Sequence, residues 1–153
     1  MPQHSETRYL PYTPEQVYAL VADVGSYAEF LPWVIGTRIK SDSETEMIAD
    51  MIVGFKHLRE KFTSHVKKEP GQSICVEYLD GPLRNLENIW KFRSHGDGQC
   101  AVDFSVSFAF KNRIFENLAG QYFDKAFRKM VSAFEERAVE LYGSSNSNAN
   151  NAA

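Results

Sequence analysis

The chain has 153 residues, 43% of them hydrophobic and 13% aromatic, enough for one globular domain with a sizeable core. No apolar run nears the roughly 18 residues of a spanning helix, and no basic start leads into an apolar signal region, so a soluble, intracellular protein is expected. A formal net charge of −3 with a pI near 5.8 argues against generic DNA or RNA binding driven by counterion release, leaving room only for a local basic patch.

Residues 4–10 read as an opening strand. Thr13-Pro14-Glu15-Gln16 then supplies an N-cap threonine, a proline at the first helical position and a glutamine three residues after the cap. This capping box starts a helix that buries Val17, Leu20 and Val21. Ser26 with Glu29 repeats the device for a second short helix, which Pro32 stops. The connector Phe30-Leu31-Pro32-Trp33-Val34 is apolar where loops are normally polar. It must cover something apolar: a core edge, a membrane, or the mouth of a ligand cavity.

From residue 34 to 110 the hydrophobic period is two, broken by turn chemistry at residues 41–43, Pro70-Gly71, Gly81-Pro82 and Gly96-Asp97-Gly98. These breaks cut about six strands, whose short connectors favour an antiparallel meander. Alternation places Ala49, Met51, Val53 and Phe55 on one face. The same face continues with Leu58, Phe62 and Val66, with Ile74, Val76 and Tyr78, with Leu86, Trp90 and Phe92, and with Val102, Phe104, Val106, Phe108 and Phe110. The opposite face is wet. After Asn112, an N-cap, apolar residues recur at helical spacing to Tyr142, and Gly143 ends the helix. Its length is on the order of 45 Å. Residues 144–153, rich in serine and asparagine, have nothing to bury and are expected as a disordered tail after a single domain at 1–143.

A curved antiparallel sheet of about seven strands wrapped on a long C-terminal helix, with two short helices after the first strand, is a helix-grip architecture of the α+β class. Such a sheet can enclose a cavity, although packing alone accounts for any single aromatic residue between the layers.

Several separated motifs carry a resemblance. Tyr27-Ala28-Glu29-Phe30-Leu31-Pro32-Trp33, Val53-Gly54-Phe55, Phe62-Thr63-Ser64, Asp80-Gly81-Pro82-Leu83 and Leu86-Glu87-Asn88-Ile89-Trp90-Lys91-Phe92 resemble, in this order, the START-like family of coenzyme Q-binding respiratory chaperones. That family sits within the polyketide cyclase/dehydrase and lipid-transport group. The resemblance spans roughly residues 3 to 142 and implies a helix-grip fold with a hydrophobic tunnel. It also implies ubiquinone or a related prenyl lipid as bound ligand, supporting respiratory electron transport, with no other cofactor. The ribosome-association toxin branch shares these motifs and implies instead an association with the large ribosomal subunit. Mitochondrial members carry a presequence that is missing here, so a bacterial-type cytoplasmic protein with peripheral inner-membrane contact is expected.

A quinone needs an apolar groove and one or two hydrogen-bond donors for its carbonyl oxygens. Inward-facing candidates for donation are Ser64, Asn88, the Trp90 indole and the Tyr122 hydroxyl; each could equally satisfy a buried backbone group. The full set of expected ligand-binding residues comprises Phe30, Leu31 and Trp33 at the mouth, and Val53, Phe55, Phe62 and Ser64 on the central strands. Leu86, Asn88, Trp90, Phe104 and Phe108 follow on the later strands, and Leu118, Tyr122 and Phe123 on the long helix. The connector at residues 30–34 and the first half of the long helix are expected to form a gate.

An enzyme would need a positioned acid or base. Glu60 is the one carboxylate that alternation turns inward, and no histidine shares its face, so no catalytic residue and no enzymatic activity are expected. His57 and His65 stand about 26 Å apart along a strand, too far to ligate one metal. Cys75 and Cys100 lack metal-ligand spacing and read as reduced thiols. Arg59, Lys61 and Lys67 on a strand, and Lys125, Arg128 and Lys129 on the helix, read as ordinary charged surface. A basic patch beside Leu31 and Trp33 would also suit an anionic membrane or ribosomal RNA phosphates.

Overall fold

The computed structural model describes residues 3–55 and 58–143; the side chains of residues 55, 58, 115 and 118–124 are excepted. His57 and the expected tail at residues 144–153 therefore lie outside the described residues.

Strand β1 (Gln3–Leu10) leads into helix α1 (Pro14–Ala22), and the capping box forms as expected: Gln16 N donates to Thr13 Oγ1 and Thr13 N donates to Gln16 Oε1. The second helix differs from expectation. It is a 3-10 turn over Val24–Glu29 that begins after Asp23, and Ser26 lies inside it rather than capping it. The Ser26 hydroxyl donates to the Asp23 carboxylate at 2.7 Å, while Glu29 pairs with Arg137 on α2.

Six further strands follow: β2 (Val34–Asp42), β3 (Glu46–Phe55), β4 (Leu58–Glu69), β5 (Ser73–Asp80), β6 (Leu83–Ser94) and β7 (Cys100–Phe110). They form one antiparallel sheet in the order β1-β7-β6-β5-β4-β3-β2. Register shifts in the β2–β3, β4–β5 and β6–β7 pairings mark the bulges that bend such a sheet. Gly81, at φ +145°, turns the chain from β5 to β6. A Cβ there would lie 2.9 Å from both the Lys61 carbonyl oxygen and the Tyr78 hydroxyl, which explains glycine in that motif.

Helix α2 (Arg113–Tyr142) has the expected length, with the Asn112 side chain accepting from Ile114 N at its start. Its C-terminal half is tied down. Tyr142 donates to Gln16 O at 2.9 Å, Tyr12 donates to Gly143 O at 2.8 Å, and Phe134 and Ala138 sit in the core with Leu20, Val21, Phe92 and Val102. The helix-grip expectation holds. No helix among the described residues is long and apolar enough to cross a membrane.

Candidate functional site

Between sheet and helix lies a cavity of about 410 Å³, within the ordinary range for small-molecule sites. Alternation builds it. Met51 and Val53 on β3, and Phe62, Ser64 and Val66 on β4, point inward because strand side chains repeat every second residue. Leu86, Asn88 and Trp90 on β6 do the same, as do Phe104, Val106 and Phe108 on β7. Helix α2 closes the cavity with Ala126, Phe127, Met130 and Phe134 at helical spacing. Leu31, Pro32, Trp33 and Val34 form one end of the wall, so the apolar connector covers the cavity edge.

Of the expected residues, Leu31, Trp33, Val53, Phe62, Ser64, Leu86, Asn88, Trp90, Phe104 and Phe108 stand on this wall. Phe30 does not. Its ring packs 5.3 Å from Phe134 and 6.0 Å from Tyr27, and the Arg137 guanidinium lies 5.2 Å above it, so Phe30 braces the connector from behind. The side chains of Phe55, Leu118, Tyr122 and Phe123 lie outside the described residues. Tyr27, Leu83, Val106, Phe127, Met130 and Phe134 join the wall without having been expected there. The helical recurrence at residues 123, 127, 130 and 134 was the signal that extends the site along α2.

The polar groups of the wall are few and mostly engaged. Trp90 Nε1 donates to Asn88 Oδ1 at 2.9 Å, and Asn88 Nδ2 donates to Ser105 O at 3.0 Å. The indole donor expected for a ligand is thus committed to Asn88, and Asn88 keeps one amide hydrogen. Ser64 faces the same space. Tyr27 donates to Val21 O, and burial first, then the Asp23 carboxylate, pushes its hydroxyl well above the ordinary tyrosine range. Among the described residues the wall carries no carboxylate, amine, guanidinium, imidazole or thiol. Glu60, inward by alternation, is half-buried beside Val53 and absent from the wall.

One backbone feature marks the connector. Among the described residues Trp33 is the non-glycine residue at positive φ, +70°, while its carbonyl accepts from Gly54 N at 2.8 Å. A left-handed aromatic residue costs about 1–2 kcal/mol, tolerated here at the cavity edge. Outside the connector, Ala28–Pro32 and α2 bound a surface groove of about 670 Å³ carrying Lys125, Arg128, Lys129 and Glu136. On the basic strand face Lys67 meets Glu77 at 2.8 Å, and His65 lies between Glu46 and Glu77 at 3.3 and 3.5 Å.

A bent sheet gripping a long helix around an apolar, uncharged hollow defines a helix-grip domain with an internal ligand-sized cavity. The polyketide cyclase/dehydrase and lipid transport family model matches residues 10–135, and the chain belongs to that family. It is 37% identical over 142 residues to the ribosome association toxin RatA of Escherichia coli K12, covering 93% of this chain and 90% of that protein. It is 35% identical to the mitochondrial coenzyme Q-binding protein COQ10 homolog B of Xenopus laevis, covering 92% of this chain and 59% of the relative. The solution structure of the 18 kDa protein CC1736 from Caulobacter crescentus superposes with a TM-score of 0.74 at 38% identity, covering 94% of this chain and all of the other.

Proposed function

We propose that the cavity binds ubiquinone or a related prenyl-quinone lipid, and that the protein carries it in support of electron transport without catalytic turnover. The observation that carries this reading is the wall itself: a hollow of about 410 Å³, apolar apart from Ser64, Asn88, the tethered Tyr27 phenol and the indoles of Trp33 and Trp90. Quinone carbonyls only accept, and the Ser64 hydroxyl and the remaining Asn88 amide hydrogen are donors. Each isoprenoid methylene buried contributes about 0.8 kcal/mol, so the tail supplies affinity while the donors set orientation. The similarity to a coenzyme Q-binding protein supports the same ligand class. The protein is cytoplasmic in this reading and meets the membrane peripherally, through the connector and the cationic groove beside it.

Titration with a short-tailed ubiquinone tests this. Saturable quenching of Trp33 and Trp90 fluorescence is expected, with Leu31→Asp reducing affinity more than stability. Equal losses would return the connector to simple core packing. Glu60→Gln is expected to leave both lipid binding and biological activity intact; loss of activity with lipid affinity unchanged would support an enzyme of the cyclase or dehydratase kind.

A second reading has its own support in the 37% identity to a ribosome association toxin. Here Lys125, Arg128 and Lys129 would meet ribosomal RNA phosphates. Salt-sensitive co-sedimentation with large ribosomal subunits, lost in a triple Lys125→Glu, Arg128→Glu, Lys129→Glu variant, would favour it.

A further inference from the structure

A second, smaller cavity of about 50 Å³ lies beyond the first and shares with it Val21, Trp90, Phe104, Met130 and Phe134. These side chains are therefore a partition seen from both sides. Its far walls are Leu10, Val17, Leu20, Val102 and Val131. At its outer end Arg8 bridges Glu6 at 3.4 Å and Glu135 at 3.3 Å, tying β1 to α2 across the opening.

We propose that this second cavity is a terminal subsite for the apolar chain of a bound lipid, entered when Met130 swings out of the partition. The proposal rests on the reading that the larger cavity holds a lipid. Space and lining both favour it. The volume exceeds the roughly 10–15 Å³ that one water needs, and an apolar hollow of this kind stays dry, leaving its walls short of contacts that a chain end would supply. Among the partition residues Met130 has the most adaptable side chain. Trp90 is held by its hydrogen bond to Asn88 and lies 4.6 Å from Phe104, itself buried, while Phe134 meets Tyr27, Phe30 and Trp90 edge-on at 5.3–5.6 Å. Met130 is half-buried, unbranched and bonded to nothing that fixes its rotamer among the described residues. The Glu6–Arg8–Glu135 bridge then sets where the chain must stop.

The test is calorimetric binding of a series of prenyl benzoquinones of increasing tail length, alongside a series of saturated primary alcohols. Val131→Phe fills the second cavity without touching the first. It should weaken binding of long tails about tenfold, the equivalent of two buried methylene groups, and leave the shortest tail unchanged. Met130→Ala should act oppositely, strengthening long-tail binding relative to short. A folded Val131→Phe protein with the wild-type length dependence would overturn the proposal; should that variant not fold, Met130→Ala with unaltered length dependence would do so. If no quinone binds but the alcohol series shows a length break that these variants move, the subsite stands and the quinone reading fails. If neither series binds, both fall.

Discussion

Single residues decide how the cavity is edged and oriented. Trp33 adopts a left-handed backbone that only its surroundings impose, since its carbonyl is bonded to Gly54 and its side chain closes the cavity rim. Trp33→Gly and Trp33→Ala both remove the indole, but only glycine relieves φ. The glycine variant should be about 1 kcal/mol more stable than the alanine variant by urea denaturation, and equal stabilities would mean that the backbone is unstrained. Among the described residues Asp50 is the buried carboxylate; on the outer side of the sheet the Thr63 hydroxyl donates to it at 2.6 Å and Lys40 lies 3.6 Å away. The Thr63 bond, opposed by burial and aided by Lys40 and Lys61, holds its carboxyl below the usual range. A depressed folded pKa gives stability that is present above the unfolded value of about 3.9 and lost as pH falls through the folded one. Asp50→Asn should therefore melt lower than wild type at pH 6, with the gap closing below about pH 4. A gap constant down to pH 2 would contradict this. The inward positions of Ser64, Asn88 and Trp90 were legible from alternation alone. That Trp90 gives its proton to Asn88 was not, because residues two apart on one strand reveal their shared face but not their torsions.

Elements show which local signals survive tertiary packing. The capping box of α1 and the Asn112 cap of α2 form as their sequences dictate, because each donor and acceptor lies within three residues. The Ser26 signal failed as a cap since Ser26 falls within a 3-10 turn, where its hydroxyl reaches back to Asp23. The connector is held to α2 by the Phe30–Phe134 ring contact and by Arg137. Arg137 bonds Glu29 at 3.1 Å and Glu140 at 3.2 Å, and covers the Phe30 ring. Phe30, expected among ligand contacts, packs on Phe134 beneath Arg137 and stands off the cavity wall; its apolar character was visible, its direction was not. Arg137→Gln should speed amide exchange at residues 30 and 31 roughly tenfold without altering exchange in β7. Unchanged exchange in the connector would show that Pro32 and Phe134 packing hold it unaided.

At the scale of the molecule, seven strands and one long helix were readable because periods of two and 3.6 persist over long stretches. A cavity follows less directly. Apolar faces say that layers meet, whereas the bulges that bend the sheet, and hence the hollow, are shifts in pairing between neighbouring strands that alternation along one strand does not show. The partition and the smaller cavity behind it lie further still from sequence, since Trp90, Phe104 and Phe134 come from three elements. The central claim is that this hollow carries a prenyl quinone. The most direct measurement is to purify the protein from its own host, extract it with organic solvent and identify bound lipid by mass spectrometry. A quinone is expected in near-stoichiometric amount, depleted in a Trp90→Ala protein that remains folded. Protein free of prenyl lipid that instead co-sediments with large ribosomal subunits would contradict it.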